Sequence, residues 1–153
     1  MRRGFSLIEL IIVIAIIGVL AAIAVPRLSR GATTSAESSL AANLAVMRKA
    51  IDLFAIEHGG TFPPLIKFKP AMLGYSDATG TKFGGRDSSN GLIFGPYLRA
   101  IPPLPVGAEA GKNDVVAAIG DDGGWVYNPL TGEIRANCKP AEVDSKGKPY
   151  REY

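Results

Sequence analysis

The sequence predicts an α+β protein in which a long N-terminal helix packs on a small antiparallel β-sheet head. Three patterns indicate this class: an uncharged apolar run from Leu10 to Pro26, an amphipathic stretch of helical period after it, and short β-branched and aromatic runs between turn residues near the C-terminus. The 153 residues have room for one membrane segment and one modest domain. The predicted division is a leader at 1–4, a transmembrane and assembly helix at 5–25, its amphipathic continuation at 26–58, and a globular head at 59–153.

The first half of the predicted helix is long enough to cross a membrane. From Phe5 to Val25 nearly every residue is Leu, Ile, Val or Ala, and about 21 residues at about 1.5 Å each span a hydrocarbon core of roughly 30 Å. Arg2 and Arg3 precede this run, and basic residues of this kind tend to stay in the cytoplasm. We therefore expect a cytoplasmic N-terminus, with everything after Pro26 on the other side of the membrane.

The leader differs from that of an ordinary secretory signal, in which the small residue at the cleavage site follows the apolar run. Here the small residue, Gly4, precedes it, so that cleavage after Gly4 would leave the apolar helix on the mature protein. Two other classes stay open at this point. A single-span anchor carrying a periplasmic binding or sensor domain would keep Met1, and a secreted enzyme would begin beyond residue 20.

Glu9 is the one carboxylate in the apolar segment. A charge at mid-membrane costs about 2.5–3.5 kcal/mol on insertion scales, and such residues are candidates for function. One interpretation is a tolerated charge near the interface, because Glu9 lies only about 6 Å along the helix from Phe5. The other is an ion pair, since cleavage after Gly4 would give Phe5 a free amino group that Glu9 of a neighbouring copy could neutralise.

The N-terminal residues closely resemble the class III signal of type IV pilins and type II secretion pseudopilins. The resemblance covers Gly4-Phe5-Ser6-Leu7-Ile8-Glu9-Leu10 and the apolar run to Pro26. It implies that a prepilin peptidase cuts between Gly4 and Phe5 and N-methylates Phe5, and that Glu9 pairs with the N-terminus of an adjacent subunit during assembly. It also implies a bacterial inner-membrane protein with a periplasmic head. Such subunits form periplasmic or surface filaments through an inner-membrane platform and its ATPase.

Pro26 lacks the N–H that would bond to Ala22, so we expect a helix kink there. The alternative is that the helix ends at Pro26, with Gly31 as a second helix breaker. An apolar stripe of helical spacing follows, formed by Leu40, Leu44, Met47, Ile51 and Phe54. The other face of this helix is predicted to carry Glu37, Asn43, Arg48, Lys49 and Glu57. Gly59 and Gly60 are expected to end the helix.

The head is predicted to start with a variable loop region at 61–95 that contains one short helix near Leu65–Leu73. An antiparallel β-meander is expected at about 113–137, with a turn at Gly120–Gly124. Its buried side chains should be Trp125, Tyr127 and Ile134. The tail from Cys138 to Tyr153 is mixed in charge and contains Pro and Gly, and we expect it to be exposed or loosely paired.

Composition argues against several functions. Arg2 and Arg3 supply two of the three net positive charges, so a mature chain is near neutral and gives no electrostatic reason for binding nucleic acid. No motif for nucleophilic, zinc or phosphate chemistry is present, and we predict that the protein is not an enzyme. His58 is interpreted as a packing residue, and the single Cys138 excludes an intramolecular disulfide.

Three aspartates near the predicted sheet, Asp114, Asp121 and Asp122, are candidate oxygen ligands for calcium. Major pseudopilins that this chain resembles often carry a calcium site in this region. Their usual Asp-Pro-Trp-Gly turn is replaced here by Pro103–Gly107, however, and the simpler interpretation of Asp121 and Asp122 is a polar turn.

The segment Phe94–Pro102 resembles the one that precedes the sheet in major pseudopilin-like proteins. Together with the absence of a disulfide-closed C-terminal loop, it favours a type II secretion pseudopilin of the major type. The alternative in the same family is a type IV pilus pilin.

Overall fold

The computed structural model describes residues 6–120 and 122–153, with the side chains of residues 25–30 excepted. One helix, α1, covers Leu7–Glu57. Because α1 continues through both Pro26 and Gly31, the alternative of a helix end at Pro26 is wrong, whereas a kink at Pro26 stays a prediction. The chain divides into two compact units, Met1–Ser35 and Ala36–Tyr153.

The first unit contains the apolar half of α1. The stretch Leu7–Ala24 has a mean hydropathy of 3.0, and none of it is buried within the chain. By length and composition it can cross a membrane. Since an unburied apolar helix is unstable in water, this half of α1 needs lipid or another protein around it.

The second unit is the head, and its core forms around the other half of α1. All five residues of the predicted stripe are fully buried, which confirms the helical period. The main side chains packed around this stripe are Phe68, Met72, Leu104, Trp125, Tyr127 and Ile134. The head is therefore a helix-on-sheet arrangement with one apolar core.

The region after the helix is more ordered than a loop. A 3₁₀ turn at Leu65–Lys67 leads into α2 (Phe68–Leu73), which confirms the short helix. Two strands that were not predicted, β1 (Tyr75–Ser76) and β2 (Phe83–Gly84), pair antiparallel. Strands of two residues are too short to show an alternating pattern in the sequence.

A three-stranded sheet with the order β3-β4-β5 completes the head. Its strands are β3 (Val115–Val116), β4 (Trp125–Tyr127) and β5 (Ile134–Ala136). The antiparallel β4–β5 pair is as predicted, and it buries Trp125, Tyr127 and Ile134. The prediction that the first strand would also be antiparallel is wrong, because β3 runs parallel to β4.

The parallel pairing follows from the shape of the connection between β3 and β4. The carbonyl of Asp114 accepts hydrogen bonds from the N–H groups of both Gly124 and Trp125. Asn137, which follows β5, accepts from the Gly120 N–H at 2.9 Å and donates to the Gly123 carbonyl at 2.7 Å. The glycine-rich segment is therefore the end of a wide loop rather than a hairpin turn.

Candidate functional site

The start of α1 brings Glu9 into contact with its own backbone. The N–H of Ser6 donates to Glu9 Oε2 at 2.8 Å, and the Ser6 carbonyl accepts the first helical hydrogen bond, from Leu10. Ser6 thus occupies the N-cap and Glu9 the third helical position, which is one half of a capping box. The sequence signal for it, Ser-x-x-Glu, was available at residues 6–9 but was missed.

Glu9 therefore stabilises the helix before any partner arrives. A carboxylate in the first turn satisfies one of the unpaired N–H groups there and interacts favourably with the positive end of the helix dipole. The other residues assigned to processing, Gly4 and Phe5, lie outside the described part of the chain. The proposed pair between Glu9 and the Phe5 amino group consequently stays a prediction.

The prediction that Glu37 lies on the face of α1 opposite the apolar stripe is wrong. Glu37 is only 9% exposed, and its carboxylate accepts from the N–H of Ser145 at 2.7 Å and from the Ser145 hydroxyl at 2.9 Å. The tail thus contacts the helix close to where the head begins. The helical period continues to Glu37, three residues before Leu40, and therefore places it on the buried face. Its partner Ser145, 108 positions later, could not be predicted from local spacing.

Arg48 is exposed on the face where it was predicted, and it also binds other elements of the head. Its guanidinium donates to the backbone carbonyl of Ile134 at 3.3 Å and to the backbone oxygen of Tyr153. Hydrogen bonds from a charged donor are stronger than neutral ones. These hydrogen bonds from Arg48 therefore connect α1 to β5 and to the last residue of the tail.

Most residues of the tail are exposed, as predicted, but the tail is held to the head by hydrogen bonds rather than loosely paired. Asp144 organises it by accepting from the N–H groups of Lys146 and Lys148, each at 2.8 Å, and from the Tyr153 hydroxyl at 2.5 Å. The ammonium of Lys148 also lies 4.5 Å from the centre of the Tyr153 ring. Tyr150 is buried between these residues and the core.

These contacts shift the acid–base properties of the tail. The Tyr153 hydroxyl and the N–H groups of Lys148 and Lys146 hold the pKa of Asp144 below its usual value. The same hydrogen bond raises the pKa of Tyr153 to about 12. Burial raises the pKa of the Cys138 thiol to about 12, so this cysteine is an unreactive core residue.

The three candidate calcium ligands are not brought together as a site by the described residues. The carboxylate of Asp122 contacts the ammonium of Lys112 at 2.5 Å, and Lys112 also contacts the carboxylate of Glu109. Lys112 lowers the pKa of Asp122 through this hydrogen bond. Asp121 lies outside the described residues, and among the others no group of three or more His, Cys, Asp or Glu could hold a metal ion.

His58 packs as predicted. It is 5% exposed, its ring stacks on Phe54 with 3.9 Å between centroids, and Nδ1 lies 2.7 Å from the Phe54 carbonyl. Its Nε2 lies 3.0 Å from the Ser76 hydroxyl and from the Asp77 carbonyl. The ring thus joins the end of α1 to β1.

Comparison with known proteins places these features in a family. Residues 1–25 match the model of the prokaryotic N-terminal methylation motif. The chain is 31% identical over 136 residues to the type IV major fimbrial protein FimA of Dichelobacter nodosus, covering 84% of this chain and 83% of FimA. It is 25% identical over 108 residues to the type II secretion system core protein G of Klebsiella pneumoniae, with 71% of each chain covered.

A third relative, the prepilin peptidase-dependent protein D of Escherichia coli strain K12, is 41% identical over 59 residues, or 39% of this chain and 40% of that protein. No solved structure shows a significant match.

An apolar N-terminal helix with a methylation motif, continuing into an α+β head, defines a pilin-like subunit. The chain belongs to the family of type IV pilins and type II secretion pseudopilins. The motif match includes Gly4, Phe5 and Glu9.

Proposed function

We propose that this protein is a structural filament subunit, made as a membrane-held precursor, cut after Gly4, N-methylated at Phe5 and assembled with copies of itself. The observation that carries the proposal is the apolar stretch Leu7–Ala24, which is unburied in its own chain and lies within the residues matched by the methylation motif. Such a helix is stable in a bilayer before assembly and in a bundle of identical helices afterwards. Cleavage after Gly4 removes residues 1–4 and leaves the apolar helix on the mature protein.

The second part of the proposal is a role for Glu9 in assembly. In the precursor its carboxylate caps its own helix at Ser6. After cleavage, the new amino group of Phe5 on a neighbouring copy competes for that carboxylate. In apolar surroundings a charged donor is a much stronger partner than a backbone N–H, so the pair sets the position of one subunit against the next.

The topology and partners follow from the same proposal. Arg2 and Arg3 hold the N-terminus in the cytoplasm, and the head lies in the periplasm of a bacterial cell. Processing needs a prepilin peptidase, and extraction from the inner membrane needs an assembly platform and its ATPase. The subunit itself carries out no reaction.

Within this class we propose a type II secretion pseudopilin of the major type. Supporting it are the Phe94–Pro102 segment, the single cysteine, and the similarity to a core protein G over 71% of the chain. A type IV pilus pilin is the second candidate, favoured by the higher identity and longer coverage of FimA. Both candidates share the proposed cleavage after Gly4, the methylation of Phe5 and the role of Glu9 in assembly.

N-terminal mass spectrometry of the assembled protein tests the shared proposal. We expect a chain that begins at a methylated Phe5. Assembled material that retains Met1 would support a single-span anchor, and a soluble chain beginning beyond residue 20 would support a secreted enzyme. Either result would overturn the filament proposal.

A strain that lacks the gene for this protein distinguishes a type II secretion pseudopilin from a type IV pilus pilin. Loss of a pseudopilin should trap secreted proteins in the periplasm without removing surface fibres, whereas loss of a pilin should remove fibres visible by electron microscopy and leave secretion intact. Complementation with the intact gene is the control.

A further inference from the structure

His58 lies in a buried contact between the end of α1 and β1, and both of its ring nitrogens have hydrogen-bonding partners there. Nδ1 lies 2.7 Å from the carbonyl oxygen of Phe54. Nε2 lies 3.0 Å from the carbonyl oxygen of Asp77 and 3.0 Å from the hydroxyl of Ser76. A carbonyl oxygen can only accept a hydrogen bond, whereas a hydroxyl can donate or accept one. The ring therefore faces two acceptors and one group that can take either role.

The contact with Phe54 determines where the neutral ring carries its proton. Nδ1 must be protonated, because two lone pairs would repel each other at a distance of 2.7 Å. Nε2 of the neutral ring then has no proton and can only accept a hydrogen bond. The hydroxyl of Ser76 donates that hydrogen bond, and the carbonyl of Asp77 is left as an unfavourable neighbour of the Nε2 lone pair.

Protonation of the ring reverses the roles of these two neighbours. Nε2 then carries a proton and can donate it to the carbonyl of Asp77, so the hydroxyl of Ser76 is released. A second acceptor for this hydroxyl is already in place, since the carbonyl oxygen of Phe94 lies 3.4 Å from it. One proton therefore changes the group of the head to which the end of α1 is bound.

We propose that His58 is a pH-dependent connection between α1 and the turn at residues 77–82. In its neutral form His58 binds the hydroxyl of Ser76 in β1. In its protonated form it binds the carbonyl of Asp77, and Ser76 binds the carbonyl of Phe94 instead. Acid thus attaches this turn of the head directly to α1. Every contact involved lies within the head, so the inference does not depend on the proposed function.

The other titratable groups that the structure describes beside His58 belong to α1, to the turn and to the segment after β2. Hydrogen bonds from the N–H of Lys82 and from other groups of the turn hold the pKa of Asp77 below its usual value. Burial raises the pKa of Tyr97, whose hydroxyl donates to the carboxylate of Glu57 at 2.5 Å. Carboxylates and tyrosines ordinarily do not titrate between about pH 5.5 and 8, whereas histidine does. A response in this range is therefore assigned to the histidine.

Thermal unfolding of the full chain in detergent micelles at about pH 5.5 and pH 8 tests the exchange of partners. Ser76→Ala leaves Nε2 of neutral His58 buried without a donor, whereas the protonated ring keeps its hydrogen bond to Asp77. We therefore expect Ser76→Ala to lower the melting temperature at least about twice as much at pH 8 as at pH 5.5. Ser89→Ala is the matched control, because the Ser89 hydroxyl donates to Asp87 at 2.6 Å and its loss should have the same effect at both pH values.

The same substitution in a second background identifies His58 as the source of the pH dependence. His58→Phe keeps an aromatic ring but has no ring nitrogen, so Ser76→Ala in this background should have the same effect at both pH values. Unchanged fluorescence of the buried Trp125 would show that each variant is folded. Two results would overturn the inference: an equal effect of Ser76→Ala at both pH values in the wild-type chain, or a difference that persists in His58→Phe.

Nitrogen NMR of the imidazole ring tests the proton positions independently. The chain contains one histidine, so a sample labelled in histidine gives ring signals from His58 alone. We expect a proton on Nδ1 and none on Nε2 at about pH 8, and a proton on both nitrogens at about pH 5.5. A neutral ring with its proton on Nε2, or a ring that is still neutral at pH 5.5, would overturn the inference.

Discussion

The carboxylate of Glu37 accepts two hydrogen bonds from Ser145, a residue 108 positions later in the chain, at 2.7 Å from the backbone N–H and 2.9 Å from the hydroxyl. This contact fixes the tail against α1 near the first turn that belongs to the head. A chain with a single cysteine cannot close its tail with an internal disulfide, and here hydrogen bonds and packing hold it in place.

Replacing Glu37 with Ala should destabilise the head by about 1–3 kcal/mol, because the carboxylate that accepts both hydrogen bonds from Ser145 would be lost. Urea unfolding of the full chain in detergent micelles can be followed by the fluorescence of Trp125, the single tryptophan, which is fully buried. Asp52→Ala on the exposed surface of the same helix should change stability by no more than about 0.5 kcal/mol. Equal stability of the two variants would show that the contact contributes nothing.

Asp144 should make the stability of the tail dependent on pH. Folding lowers its pKa below the ordinary value of 3.8, so its contribution is fully present above pH 3.8 and is lost as the pH falls through the lower folded pKa. We expect the melting temperature of the wild type to fall steeply below pH 3.8. Asp144→Asn should have a lower melting temperature at pH 7 and a shallower fall.

The matched control for this profile is Asp52→Asn, which should follow the wild-type curve. Other carboxylates with lowered pKa values, among them Asp77 and Asp87, leave part of the acid dependence in place. The discriminating quantity is thus the change in slope, and an unchanged slope in Asp144→Asn would contradict the assignment.

The features that sequence predicts well here are those set by local periodicity. The spacing of Leu40 to Phe54 identifies the buried face of α1, because a helix places residues three and four apart on one side. The α+β class follows from that stripe and the apolar strand residues, and the length of the N-terminal run predicts a membrane span. Each signal is contained within a few tens of residues.

The features that sequence could not predict depend on contacts between distant residues. The partners of Glu37 and Arg48, which are Ser145 and the backbone oxygens of Ile134 and Tyr153, lie far along the chain from α1. Asn137 binds Gly120 and Gly123 in the connection between the parallel strands β3 and β4, and this contact has no local signature in the sequence. In contrast, the cap formed by Ser6 and Glu9 has a local signature and could have been found.

Lys112 should make the head insensitive to calcium. Its ammonium contacts the carboxylates of Asp122 and Glu109, which occupies oxygens that a calcium ion would need. Calorimetric titration of the wild-type chain with calcium chloride should show no binding heat, and its melting temperature should not rise. A rise with calcium that is absent with magnesium would contradict this prediction and restore the site at Asp114, Asp121 and Asp122.

Substitution can separate the cap that Glu9 forms on Ser6 from its proposed pair with the amino group of Phe5. Glu9→Val should remove both the cap on Ser6 and the charge, whereas Glu9→Gln keeps a side-chain oxygen that can accept from the Ser6 N–H. Both variants should insert into the membrane and be cut after Gly4, which mass spectrometry of the membrane fraction would show.

If the charge of Glu9 pairs with the amino group of Phe5, both variants should fail to assemble. Loss of one partner from a buried ion pair costs about 3–5 kcal/mol at each contact, and a repeating filament incurs that cost at every subunit. Loss of a helix cap costs only about 1 kcal/mol, which a bundle of apolar helices can tolerate. Normal assembly by Glu9→Gln together with failure by Glu9→Val would therefore show that Glu9 serves the helix start rather than the neighbouring subunit.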